Sequence, residues 1–257
     1  MEMLPEDCVC TILSFTSPLE TSKSTLVSTT FRSASESDVV WDRFLPPDYQ
    51  DLLLRLVKPL KFSTKKELFF LLCNWVLIDG GRKSFKIDKS SGKKSYLLSA
   101  RELFIAWSDE PMYWIWKHIS QSRLGEVAEL RTGSWIEIYG KIKTPMLSKN
   151  TIYVAYLKMR ISNRAYGLNT TPFEVSVEVG KQVSHRTVCL CGHDKEKQQT
   201  VRMKILREIE DGWMEVELGE FFNGENDEEV KMSFTETKDY HLKAGLVIKG
   251  IELRPKL

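Results

Sequence analysis

Histidine and cysteine are scarce in this chain of 257 residues, with four of the first and five of the second. The histidines, at 118, 185, 193 and 241, are scattered and suggest no ligand set. Cys189-x-Cys191-x-His193 has the look of half a metal site, but structural zinc takes four ligands and a wider Cys spacing. It reads as thiols, and no metal or other cofactor is expected. Five is also an odd, low cysteine count, and Cys8 and Cys10 sit two apart in a helical stretch, pointing different ways. A reduced, intracellular protein follows. Long apolar runs are missing as well. The greasiest stretch, Leu68 to Ile78, is interrupted by Asn74. A membrane span takes roughly 20 apolar residues, so this segment predicts a buried helix. The opening Met1-Glu2-Met3-Leu4-Pro5-Glu6-Asp7 is acidic and has no signal-peptide core, which makes the sequon at Asn169 a chance match. Neither sign of charge dominates. Lys and Arg number 37 against 35 Asp and Glu, so nothing demands nucleic acid or an anionic membrane. There is no P-loop, dinucleotide fingerprint, G-x-S-x-G or H-E-x-x-H. An enzyme is not expected.

What is present is unevenly placed. Residues 1–50 carry 3 basic against 8 acidic side chains, and the remainder 34 against 27. That asymmetry points to two units with different partners. Leu4, Cys8, Val9, Ile12, Leu13 and Phe15 recur at helical spacing after Pro5. Ser17-Pro18-Leu19-Glu20 is a capping box opening a second helix, with Leu26, Val27 and Phe31 as its apolar positions. Ser37 caps a third, carrying Val39, Val40 and Trp41, which Pro46-Pro47 stops. Thr64-Lys65-Lys66-Glu67 opens the greasy helix, expected to run to Gly80-Gly81. From Lys83 the period becomes two. Phe85 and Ile87 alternate with Lys86 and Asp88, and segments 135–142, 152–161, 173–179, 187–191, 201–206, 213–218, 230–234 and 246–253 read as strands. The basic stretch Lys83 to Arg101 reads as a solvated hairpin rather than a phosphate track. Many short strands without alternating helices predict an antiparallel sandwich or barrel.

Two groups carry candidate chemistry. Three helices in about 45 residues are marginal alone. Leu4, Ile12, Leu13, Leu26, Val27, Phe31 and Trp41 are therefore either a small core or, for about half of them, a stripe for a partner. The second group is Trp107-Ser108-Asp109-Glu110-Pro111-Met112-Tyr113-Trp114-Ile115-Trp116, with the acidic loop Glu220 to Glu229. These aromatics are core and that loop a solvated tip, or else indole faces and carboxylates together hold a sugar.

The segments Leu4-Pro5-Glu6-Asp7, Ser17-Pro18, Leu26-Val27-Ser28, Phe31-Arg32 and Ser37-Asp38-Val39-Val40-Trp41 resemble an F-box. The chain from Lys93 onward resembles the plant phloem-protein-2-like domain, which is similar to tobacco-type chitooligosaccharide-binding lectins. Its markers are Trp107, Tyr113-Trp114-x-Trp116, Trp135-x-Glu137-Ile138-Tyr139-Gly140, Asp211-Gly212-Trp213, Leu218-Gly219-Glu220-Phe221-Phe222 and Lys249-Gly250-Ile251-Glu252-Leu253. The resemblance implies an α+β chain: a three-helix F-box at 1–46, a helical linker at 47–82 and an antiparallel jelly-roll sandwich at 83–257. It implies a Skp-type adaptor, and through it a cullin, as partners in a ubiquitin ligase, docked through Leu4, Pro5, Ile12, Leu13, Leu26, Val27, Phe31 and Trp41. It implies a sugar site in which Trp107 and Trp114 are the indoles and Glu220 the first carboxylate. The second is Glu225 or Asp227. The target would bear N-acetylglucosamine or, in the alternative, offer a protein surface with no sugar. Cytoplasm and nucleus are the expected locations.

Overall fold

The computed structural model describes residues 4–119, 125–190, 206–209 and 212–256. They form two compact units, Met1–Gly80 with Ser84–Ser95, and Gly81–Lys83 with Tyr96–Leu257.

The first unit is built of short helices: α1 (Glu6–Ser14), α2 (Pro18–Ser24), α3 (Thr29–Glu36), α4 (Asp38–Phe44), α5 (Tyr49–Leu54) and α6 (Lys65–Leu72). The capping boxes open helices where expected. Ser17 Oγ accepts from Glu20 N at 3.1 Å, and Thr64 Oγ1 from Glu67 N at 3.1 Å. The second helix is not continuous to Phe31. Ser28 caps a new one, its Oγ accepting from Phe31 N at 3.2 Å, which leaves Leu26 and Val27 in the turn between α2 and α3. The greasy helix also ends early. Asn74 donates to Phe70 O at 3.1 Å, and the β-branched Val76 and Ile78 form β1 (Val76–Ile78), beside β2 (Lys83–Ile87). Trp41 centres the core. Its indole packs 5.2 Å from Phe69 and donates to Ser35 O at 2.7 Å. Val9, Leu13, Ala34, Val40, Leu52, Leu68 and Leu72 are buried in the same unit.

The second unit is an antiparallel sandwich. Its strands are residues 96–99 of β3 (Lys94–Ser99), β4 (Phe104–Ile105), β5 (Trp114–His118), β6 (Glu126–Leu130), β7 (Ile136–Lys143), β8 (Thr151–Tyr166), β9 (Phe173–Val179), β10 (Gln182–Val188), β11 (Leu206–Glu208), β12 (Met214–Asn223), β13 (Glu229–Glu236) and β14 (Ala244–Pro255). One sheet has the order β10-β9-β13-β7-β4; the other includes β3-β14-β8-β12-β11, with β6 also on β14 and β5 on β6. Alternation puts Phe173, Val175, Val177 and Val179 inward against Val230, Met232 and Phe234. Tyr153, Ala155, Leu157 and Met159 of β8 are buried too. The strand expected at 187–191 lies instead at Gln182–Val188. Of the one expected at 201–206, all but the last residue falls outside the described residues, as do Cys191 and His193. The strand β5 lies in the tryptophan-rich segment, which is not among the segments that alternation marks as strands.

Away from the core, Lys158 of β8 pairs with Glu215 of β12 at 2.7 Å and Glu252 of β14 at 2.8 Å. Arg254 completes the network with a two-point bond to Glu215. Lys158, Glu215 and Glu252 are all but enclosed while Arg254 stays partly exposed, and each charge is matched, which is the condition for tolerating them.

Candidate functional site

Each unit has its own candidate surface. In the first, α1 together with the residues flanking it is apolar on two sides. Val9, Cys10 and Leu13 point into the core, whereas Leu4, Cys8, Ile12 and Phe15 are exposed at about helical spacing. A surface helix with one partner has one apolar stripe. Leu26, at 86% exposure, and Val27 continue the exposed set from the turn after α2, with Val39 from α4. Of the residues expected at an adaptor interface, Leu4, Pro5, Ile12, Leu26 and Val27 are exposed and Phe31 is half-buried. Leu13, at 4% exposure, and Trp41 are core. Those two can support such a surface but cannot touch a partner on it. Phe15 and Val39, which the helical pattern had put on the same footing as the core, are exposed, and so is Leu19.

In the sandwich, the turn after β4 presents Trp107 by a specific device. Buried Trp114 donates its indole N–H to Ala106 O at 3.1 Å, and Trp116 to Ser108 O at 3.0 Å. Two carbonyls flanking Trp107 are therefore held, while Ala106 N donates to Glu137 O at 3.0 Å. Trp107 is forced outward at φ 57°, a left-handed conformation that is costly for a bulky side chain. It is 49% exposed. Tyr113 lies 5.8 Å from it, and Trp135 packs edge-on at 6.1 Å. Trp135 N–H donates to Glu137 Oε2 at 3.2 Å. Exposed Asp109 and Glu110 are in the same turn, and Tyr113 is pinned by Arg131 N donating to its carbonyl at 2.8 Å. The cluster thus has indole and phenol faces beside carboxylates.

The expected four-residue sugar site is not assembled. Trp114 is 2% exposed and offers no face. Glu220, Glu225 and Asp227 lie at the other end of the sandwich. Ile105, two residues before Trp107, is opposite Ile138, whereas the loop with Glu225 and Asp227 follows Asn223 and bonds to Thr144, beyond Lys143. Five residues of β7 intervene, which makes six steps of about 3.4 Å, roughly 20 Å. Glu220 faces Val154 of β8, while Glu129, beside Leu130 (the residue opposite Trp114), reaches β8 through Val247 at Arg160. Glu220 is also held by Lys256 at 2.6 Å. Proximity of a motif to a loop in sequence says nothing about which end of an antiparallel strand it occupies. Trp135, just before β7, packs on Trp107 and is itself held by Glu137 of β7, a neighbour that the tryptophan-rich segment could not supply.

Among the described residues no group of three or more His, Cys, Asp or Glu could hold a metal ion, and no helix is long and apolar enough to cross a membrane.

Residues 1–43 match the F-box domain, and residues 93–255 match phloem protein 2. The chain is 48% identical to F-box protein PP2-B15 of Arabidopsis thaliana, over 99% of this chain and 96% of that one. It is 44% identical to F-box protein VBF of the same plant over the full length of both. A solved family 35 carbohydrate binding module from Clostridium thermocellum is 9% identical, with a TM-score of 0.33 over 62% of this chain and 96% of that one. A likeness that weak has no bearing on the ligand. The two matched segments, the helical and sandwich units that contain them, and full-length relatives of the same composition agree: the chain belongs to the phloem protein 2 family, in the form that carries an F-box.

Proposed function

We propose that this protein is the non-catalytic substrate-recognition subunit of a Skp–cullin–F-box ubiquitin ligase, working in the cytoplasm and nucleus, and that its sandwich selects N-acetylglucosamine-bearing targets through the end that carries Trp107. The doubly apolar segment of α1 and its flanking residues is the observation that carries the adaptor part. Exposed Leu26, Phe15 and Val39 would each gain about 1.5–3 kcal/mol on burial against a partner. The four described cysteines are free thiols, which suits a reducing compartment. The held-out Trp107 beside Trp135 and Glu137 supports the glycan part, since a pyranose C–H face stacks on indole while carboxylates accept from its hydroxyls and N-acetyl N–H.

The second reading keeps the adaptor and gives the sandwich a protein surface instead. The separation of Glu220, Glu225 and Asp227 from the indoles favours it. Titrating chitooligosaccharide into the full chain, co-expressed with a Skp adaptor, decides between them. Saturable quenching of tryptophan fluorescence that Trp107→Ala abolishes supports the glycan reading. A folded complex that gives no quenching leaves protein recognition.

A further inference from the structure

We infer, on the reading that this end of the sandwich takes the target, that Lys243 is a positioning residue for the site at Trp107 and acts through Trp135. Trp135 ends the loop Arg131-Thr132-Gly133-Ser134-Trp135, between β6 and β7. Apart from Trp135 the loop has no apolar side chain to anchor it, and that indole is itself 43% exposed. Its place is set from outside. Gly133 N donates to Lys243 O at 3.0 Å, and Lys243 N donates to Gly133 O at 2.8 Å. The side chain of the same lysine donates from Nζ to Ser134 O at 3.3 Å. That oxygen belongs to the peptide bond that leads into Trp135.

A lysine is an uneconomical choice if packing were the whole purpose. Its side chain is 0% exposed, and that of Glu236, 2.5 Å from Nζ, is 1% exposed. Desolvating such a pair costs so much that apolar side chains of similar volume often stabilise a fold as well or better. An apolar side chain, however, cannot donate to a carbonyl. The pair also stands where the tie is needed, since Glu236 ends β13 directly opposite Ile136, the residue after Trp135. The second oxygen of Glu236 accepts from Lys238 N at 3.0 Å and Asp239 N at 2.9 Å. Nζ donates again to His241 O at 3.1 Å. The segment that carries Lys243 is thus folded around its own ammonium, which fixes the donor aimed at Ser134. Binding groups need their supports held to about half an ångström, and Trp135 is the edge-on neighbour of Trp107 at 6.1 Å.

The test compares the full chain with the double variant Lys243→Met/Glu236→Gln. The readings are NMR of the tryptophan indole N–H groups and titration with triacetylchitotriose. Removing both charges leaves neither buried alone, so the variant keeps its fold. Unmoved indole signals of Trp114 and Trp213, both buried in the sandwich, verify that. The expected result is a shifted Trp135 indole signal, as its bond to Glu137 loosens, and affinity about tenfold below the parent. A pair that only stabilises the fold would lower the unfolding temperature and leave both readings unchanged. An unmoved Trp135 signal or parental affinity in the folded double variant overturns the inference. So does a variant whose sandwich unfolds, because the pair would then hold the whole unit. A parent chain that binds no chitotriose removes the glycan reading alone. The Trp135 signal then decides by itself, a shift supporting the positioning role and an unmoved signal overturning it.

Discussion

Trp107 and Trp114 are seven residues apart in one aromatic segment and have opposite roles. Trp114 is a clamp whose indole fixes the Ala106 carbonyl, and Trp107 is what the clamp displays. Trp107→Ala should change stability by no more than about 1 kcal/mol and remove glycan-dependent quenching. Trp114→Ala should cost about 3–5 kcal/mol, as large aromatics in cores do, and thermal unfolding measures both. Equal losses of stability would show that Trp107 is packed rather than presented. Glu215 sets a pH limit at the same scale. Burial alone would raise its carboxyl, but hydrogen bonds from Arg254 and Lys158 prevail and hold it below the usual value. Its folded-state affinity for protons is therefore the lower one. The stability it contributes is present above about pH 4.3, the unfolded value, and is lost as pH falls through the depressed folded value. Glu215→Gln should flatten the acid limb of stability between about pH 4.3 and lower values; an unchanged limb would assign acid sensitivity to other carboxylates.

At the scale of elements, α1 separates two kinds of leucine-like position. Leu13→Asp puts a charge in the core and should unfold the helical unit. Leu26→Asp, in the turn after α2, should leave unfolding within about 0.5 kcal/mol of the parent and weaken adaptor binding at least tenfold, read by co-purification and titration. Binding that survives Leu26→Asp in a folded chain would remove that turn from the interface. The strand β14 has its own fixed point. At Gly250, φ is 154° where the pairing with β8 shifts register, and an added Cβ would stand 2.0 Å from the Leu98 carbonyl oxygen. No neighbour there is a side-chain tip that could yield. Gly250→Ala should lower stability by about 2–4 kcal/mol, and a change under 0.5 kcal/mol would mean that the bulge can relax.

For the whole molecule, the two candidate surfaces belong to different compact units, so their losses should be separable. Leu26→Asp should keep glycan-dependent quenching, and Trp107→Ala should keep the adaptor. The double variant should lose both with effects that add, as independent sites do. Non-additive binding data from folded variants would mean that adaptor and target recognition are coupled.

Much of this was legible in order along the chain. Two capping boxes marked the starts of α2 and α6, because a Ser or Thr oxygen satisfies a nearby backbone N–H wherever the chain later packs. Strict alternation from Phe173 to Val179 was legible for the same local reason. The F-box and sandwich could be identified by motif. Which apolar residues of α1 face inward could not, since hydrophobicity on both faces carries no sign of which one a partner takes. Nor could the site at Trp107: local sequence joins it to Trp114, but the fold buries Trp114 for its hydrogen bond and brings in Trp135 and Glu137 from β7 and the loop before it. The acidic loop went to the far end because antiparallel pairing of β13 with β7 runs it there. Hydrogen-bond registers between strands distant in sequence decide which end a loop occupies, and composition and spacing do not contain them.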